Sequence, residues 1–473
     1  VYRNGYKTRK PPPPDYVPYA LNQRHLKQAA FAVPSAGRLK PHKPLTESQW
    51  NVIARESGEI TAFQSLRPHQ WECANRVISR AGDTVLIAPT GSGKSKVYSL
   101  PLRVHKKAVA IVVVPYTSLG LEGSAAVKRL GLNSIFLYAE NRSDAQLAYA
   151  ASCEGLIIYV CPEMLESPTF ARVIHTAGFS ERLVALFLDE IHLGKESRDW
   201  RPSYQRIFRI RPIVGMDVPL VLLSATLPES YRAHFMSEIG LSADYKLINL
   251  GNFRPELSTV ILRIEHPLTS FLDLAFLLPH GSTPASLRQL PTLIYCDDCD
   301  MLTSMFWWFQ ERLASLHLST DFVDILHAGL SDEHASKSLA DFRTHKVVFL
   351  LGSEKIGPGI DMPGVARVVQ YKMRDLSLVR AAQRAGRGAR ARGERSTTYF
   401  LFEPSMIPKE ADASDADLQS QDPYVLQLAL AATSNVCCDD IFESGLENPP
   451  ARQVASQGCI VLLDMPSTAS SWT

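Results

Sequence analysis

Short apolar runs separated by helix-length stretches begin after Leu66 and recur at 84–87, 109–114, 155–160, 183–188 and 219–223. Each run is apolar on both faces instead of alternating with polar residues. That pattern predicts strands of a parallel sheet covered by helices on both sides. It stops at Phe253-Arg254-Pro255 and restarts with runs at 292–295, 322–326, 347–351, 365–369 and 398–402. The expected fold class is therefore α/β, with two parallel-sheet lobes joined by a hinge near 254–264.

The flanks read differently. Residues 1–57 contain Pro11 to Pro14 and many Lys and Arg, a composition that predicts an extended basic arm. Lobe 1 is expected over 58–255 and lobe 2 over 256–404. The segment 405–473 opens with an acidic, Ser-rich linker running to Gln421. The roughly 50 residues after it are too few for another α/β domain.

Composition narrows the class. The 473 residues suit two or three domains of roughly 100–200 residues, and 45% hydrophobic with 21% charged residues reads as globular. No apolar run reaches the roughly 18 residues of a membrane span, and the start lacks a secretory apolar region. An intracellular protein without a membrane partner is expected. The first residue is Val1, which suggests a fragment. Eight scattered cysteines argue for reduced thiols. A net charge of +2 means that any nucleic-acid surface must come from local Arg and Lys clusters.

The chemistry concentrates at strand ends. The run at 84–87 leads into Ala88-Pro89-Thr90-Gly91-Ser92-Gly93-Lys94-Ser95 and then a helix expected from Lys94. This is a Walker A loop, in which backbone N–H groups close around phosphates, Lys94 reaches the β/γ-phosphates and Ser95 ligates Mg²⁺. The run at 183–188 ends in Asp189-Glu190-Ile191-His192. Asp189 is the expected second Mg²⁺ ligand and Glu190 the residue that positions or deprotonates the attacking water. His192 is either a satisfied polar residue or a link to Ser224-Ala225-Thr226.

Those segments, taken in order, resemble superfamily 2 helicases. Leu66-Arg67-Pro68-His69-Gln70 is similar to the adenine-recognising motif, which implies nucleotide contacts for Arg67 and Gln70. Val114-Pro115-Tyr116 and Tyr159-Val160-Cys161-Pro162-Glu163 are similar to nucleic-acid backbone motifs, and this implies contacts at Pro115 and Pro162. Ser224 and Thr226 match the coupling motif. In the second lobe, Leu293-Ile294-Tyr295-Cys296 and His327-Ala328-Gly329-Leu330 resemble motif IV, with His327 on nucleic acid. Gly357 to Pro363 resembles motif V and implies nucleotide contacts for Gly359 and Asp361. Gln383-Arg384-Ala385-Gly386-Arg387-Gly388-Ala389-Arg390 resembles motif VI, with Gln383 coupling and Arg387 and Arg390 as arginine fingers.

Within that superfamily the RecQ family is the nearest likeness, on Asp-Glu-x-His at Asp189–His192, Asn252-Phe253-Arg254-Pro255-Glu256-Leu257, and Arg198-Asp199-Trp200-Arg201-Pro202-Ser203-Tyr204. The last resembles an aromatic-rich loop and implies nucleic-acid contacts for Trp200, Arg201 and Tyr204. The resemblance covers residues 66–402 and implies two RecA-like lobes, ATP and Mg²⁺ as cofactors, single-stranded DNA and duplex junctions as partners, 3′-to-5′ unwinding, and a nuclear location. The sequence also departs from the family. Lys195-Glu196-Ser197 stands where a Trp is expected, in a loop one residue shorter than usual, and Ser353-Glu354-Lys355 replaces small and hydroxyl residues of motif V. Only Cys437, Cys438 and Cys459 fall where the family's four-cysteine zinc module lies, so a degenerate segment without zinc is expected. A nucleic-acid clamp that no longer unwinds and an RNA helicase remain the alternatives.

Overall fold

The computed structural model describes residues 39–89, 91–165, 167–196, 217–327, 329–353, 364–391, 393–407, 420–431, 437–449 and 459–461, with isolated positions at 211, 214, 215, 356 and 362. The first lobe contains β1 Thr84–Ile87, β2 Val109–Val113, β3 Asn133–Leu137, β4 Leu156–Val160, β5 Leu183–Leu188, β6 Leu220–Ser224 and β7 Lys246–Asn249. The second contains β8 Leu257–Arg263, β9 Thr292–Tyr295, β10 Val323–Leu326, β11 Phe349–Gly352, β12 Arg367–Tyr371, β13 Ser396–Phe402 and β14 Cys459–Val461. Among the described residues these form two seven-stranded sheets, ordered β3-β4-β2-β5-β6-β1-β7 and β10-β11-β9-β12-β13-β8-β14. The two-lobed α/β expectation therefore holds.

The fully apolar runs became the strands buried on both faces. Every residue of β1, β2, β4, β5 and β6 is buried. β3 and β7 were not anticipated because they are the edge strands of their sheet and carry polar residues, Asn133 and Ser134 in one, Lys246 and Asn249 in the other.

Three expectations about the flanks and the hinge need correction. Residues 257–263, read as part of a hinge, form β8, which pairs in parallel with β13 on one side and β14 on the other. Ser258 and Thr259 disguised it, yet Thr259 to Leu262 are all buried. The connection between the lobes is thus confined to 250–256. The end of the region read as a basic arm is a helix, Glu47–Glu56, capped by Thr46. It docks on lobe 1 through Trp50 and Ala54, which pack with Leu66, Ala74 and Ile78. The C-terminal segment is also integral. Its helices Pro423–Ala431 and Cys438–Gly445 bury Val425, Leu428, Cys438 and Ile441 in an apolar cluster that includes Ile191, Tyr231 and Phe235 of lobe 1 and Met373 and Leu378 of lobe 2. Its last described residues supply the outermost strand of the second sheet.

Parallel strands put their carboxyl ends at one edge. In lobe 1 the neighbours β5, β6 and β1 therefore bring the segments after Leu188, Ser224 and Ile87 together.

Candidate nucleotide and nucleic-acid site

The loop after β1 is held from outside by the helix Pro68–Ile78. Gln70 Nε2 donates to the carbonyls of Ser92 at 3.3 Å and Gly93 at 3.0 Å, while its Oε1 accepts from the Arg67 N–H at 2.9 Å. Arg67 NH1 reaches the Gly91 carbonyl at 3.4 Å. His69 Nε2 lies 3.2 Å from the Ser92 carbonyl, a role that its sequence position did not suggest. Gly91 and Gly93 have φ of 79° and 78°, a backbone region that glycine enters without strain. A Cβ at Gly93 would also collide with Gln70 Nε2. Lys94 folds back so that its ammonium donates to the Ala88 carbonyl at 2.9 Å. The helix starts at Lys96 with Ser95 as its cap residue, slightly later than expected. Pro89, Gly91, Gly93, Lys94 and Ser95 line a cleft of about 670 Å³ between the lobes, and Ser92 is buried behind them.

Asp189 and Glu190 line the same cleft. Glu190 has φ of 47°, a strained conformation for a non-glycine residue of the kind found at functional sites. His192, buried, places Nδ1 3.0 Å from Ser224 Oγ and 3.4 Å from Glu190 Oε2. The Ser224 hydroxyl donates to the Thr226 carbonyl at 2.8 Å. Ser224 Oγ also accepts from the Thr226 N–H at 3.1 Å. Gln383 Nε2 of the second lobe donates to Thr226 Oγ1 at 2.9 Å. A continuous polar chain thus runs from Glu190 through His192, Ser224 and Thr226 to Gln383, across the gap between the lobes.

From lobe 2 the helix Leu378–Ala385 and the turn after it bring Gln383, Arg387 and Arg390 to the cleft wall. Arg387 is only 6% exposed, and its NH1 has no hydrogen-bond partner among the described residues. Arg254, which the sequence reading placed only in the linker, braces this turn. Its NH1 donates to the Gly386 carbonyl at 3.2 Å, its NH2 donates to the Ala389 carbonyl, and its Nε meets Glu256 at 2.7 Å.

Of the residues expected to touch nucleic acid, Pro115, Pro162 and His327 sit apart from this cleft. Pro115 follows β2 and Pro162 opens the helix after β4, at adjacent strand ends of lobe 1. His327 follows β10 in lobe 2, where its Nδ1 accepts from the Gly329 N–H at 3.2 Å. Thr90, Trp200, Arg201, Tyr204, Gly359 and Asp361 lie outside the described residues.

Burial pushes the Asp189 carboxyl up to about 6, the Glu190 charge adds to the rise, and Lys94 opposes it. With EDTA present, Asp189→Asn is therefore expected to stabilise the protein at pH 8. Below about pH 4 the carboxyl is protonated in the folded and unfolded chain alike, and the substitution changes nothing. Between about pH 4 and 6 only the folded chain keeps the proton. Above about pH 6 the fold carries the full cost of a buried charge, about 1–3 kcal/mol. Melting temperatures of both proteins across that range check this; an asparagine variant less stable at pH 8 would contradict it.

Comparison with known proteins places the chain. The DEAD/DEAH box helicase family matches residues 67–234, and the helicase conserved C-terminal domain matches 282–392. Three curated relatives are similar over most of the chain. The ATP-dependent helicase wrn-1 of Caenorhabditis elegans is 23% identical over 66% of this chain and 28% of its own length. A putative ATP-dependent RNA helicase, R290, of Acanthamoeba polyphaga mimivirus is 25% identical over 74% of this chain and 60% of its own. The ATP-dependent DNA helicase RecQ of Synechocystis is 24% identical over 73% and 70%. The chain thus spans less than two thirds of the length of the first two. Among solved structures, the helicase MrfA bound to DNA and AMPPNP shares the fold with a TM-score of 0.59 at 17% identity, over 81% of this chain and 55% of that one. With two parallel-sheet lobes meeting at a phosphate-loop cleft and both helicase domains matched in order, the chain is a superfamily 2 helicase that resembles the RecQ family.

Proposed function

We propose that the chain is an ATP-dependent DNA helicase that moves 3′ to 5′ on one strand and opens duplex junctions. The observation that carries this reading is Arg387, a buried guanidinium with an unpartnered NH1 in a cleft also lined by Lys94 and Glu190. Such a nitrogen costs the fold free energy unless an acceptor arrives, and a phosphate oxygen is the acceptor that its fork geometry suits. ATP supplies the phosphoanhydride whose cleavage drives the motion. Ser95 and Asp189 would hold the Mg²⁺ that neutralises phosphate oxygens, a fit supported by a hydroxyl and a buried carboxylate on the same wall. Lys94 steadies the transferring phosphoryl group, and Glu190 orients the attacking water and takes its proton. The chain from Glu190 to Gln383 reports that event to lobe 2, and cycles of lobe movement advance Pro115, Pro162 and His327 along the strand.

ATPase rates with single-stranded DNA, with single-stranded RNA and with neither test the reading. Stimulation by DNA over RNA is expected. Greater stimulation by RNA would make the chain an RNA helicase, and hydrolysis unaffected by either would make it a clamp.

A further inference from the structure

We propose that Glu196 is a positioning residue, a latch that ties the segment behind the hydrolytic acids to the arginine-bearing helix and so holds the two lobes closed for hydrolysis. The inference rests on the functional reading above and concerns how the closed state is made.

Glu196 ends the short helix Leu193–Glu196, which begins directly after His192. Its side chain is 10% exposed. Three donors from two other segments converge on that carboxylate. The Ser377 hydroxyl of lobe 2 donates to Oε1 at 2.7 Å, the Arg380 guanidinium of lobe 2 lies 3.5 Å from Oε2, and the Tyr231 phenol of lobe 1 donates to Oε1. The main chain joins in, since Arg380 NH2 also reaches the Glu196 carbonyl at 3.4 Å. Tyr231 belongs to the helix Glu229–Ile239, which follows Thr226 closely, and Lys195 Nζ sits 4.3 Å from the centre of its ring. One carboxylate thus joins the segment after the acids, the segment after Ser224 and Thr226, and the helix that carries Gln383 and leads into Arg387.

The lobe 2 half of this junction is built to transmit a pull. Ser377 caps the helix Leu378–Ala385 by accepting from the Arg380 N–H at 3.1 Å, so its hydroxyl proton points away toward Glu196. Arg380 and Gln383 are one turn apart on the same face of that helix, and Arg387 follows at its end. Negative charge at the amino end of a helix is also favourable. None of these bonds belongs to the core of either sheet. Those that Ser377 and Arg380 make to Glu196 exist only while the lobes touch, so their free energy shifts the open–closed equilibrium directly. Glu196 occupies the short stretch where the RecQ likeness breaks, so a carboxylate bridging the lobes stands near the place of an expected Trp.

The test compares wild type, Glu196→Gln, Glu196→Ala, the single reversals Glu196→Arg and Arg380→Glu, and the double swap Glu196→Arg/Arg380→Glu. Two measurements are made on each full chain: steady-state ATPase, and the interlobe distance between one spin label per lobe with a non-hydrolysable ATP analogue. Hydrogen bonds to charged groups of this kind predict about a tenfold loss of kcat and of the closed population for Glu196→Ala, with KM for ATP changed less than about threefold. Glu196→Gln, which keeps acceptors for Ser377 and Tyr231, falls between the two, and the swap recovers closed population over either single change. An unchanged closed population in Glu196→Gln and Glu196→Ala overturns the latch, as does a lower melting temperature with every activity reduced equally. If the wild type hydrolyses no ATP, the functional reading fails while the distance measurement still decides the latch.

Discussion

Lys94→Ala is expected to abolish ATP hydrolysis and leave the fold standing. Among the described residues Lys94 makes one hydrogen bond, to the carbonyl of the buried Ala88 at 2.9 Å, and its removal leaves that one acceptor without its donor. The expected stability loss is therefore about 1–3 kcal/mol, too little to unfold the lobe. The loss in turnover has two sources. One is the missing positive charge on the transferring phosphoryl group, an effect of about 10²–10³-fold for a single preorganised donor. The other acts through Asp189, because Lys94 is the charge that opposes the rise of its carboxyl. Without it the carboxylate holds its proton to higher pH and competes less well for Mg²⁺. Single-turnover hydrolysis and melting temperature on one preparation check the expectation; hydrolysis at the wild-type rate would move the nucleotide site elsewhere.

Arg387→Ala is expected to spare ATP binding and lower turnover by roughly 10³-fold or more, the scale of other arginine fingers. The turn that carries it should keep its shape, since Arg254 holds the Gly386 and Ala389 carbonyls on either side of it. Arg387→Lys should recover little, because an ammonium cannot present two parallel donors to a phosphoryl group. Equal losses in ATP affinity and turnover would make Arg387 a contact of the bound ground state instead.

How much of this could be read beforehand depended on whether the signal was local. Lys94, Asp189 and Glu190 announce themselves because a glycine-rich loop and an acid pair each end a run of apolar residues, and the parallel sheet then places those ends side by side. The lobes were legible for the same reason. His69, Arg254 and Glu196 were not, because nothing near them in sequence says which carbonyl or guanidinium the fold will bring within reach. β8 reads as a hinge in sequence because the polar Ser258 and Thr259 at its start carry no apolar signal, and only its pairing on both sides explains its burial. The C-terminal helices are not legible because Val425, Leu428 and Ile441 are buried only by apolar partners that both lobes supply from far away in the sequence.

The pairing of β14 with β8 bears on how the second lobe could be isolated. Cys459, Ile460 and Val461 pair with Thr259, Val260 and Ile261 in register, so residues 459–461 cover a strand, β8, that lies some two hundred residues earlier in the chain. A lobe 2 fragment cut at residue 404 would leave the outer backbone of β8 without its neighbour. An uncovered strand edge of this kind recruits other chains, so such a fragment would precipitate or pair with itself, whereas one extended past Val461 presents only the three-residue edge of β14 and should self-associate less. The tail works as a stopper on a surface that would otherwise invite assembly.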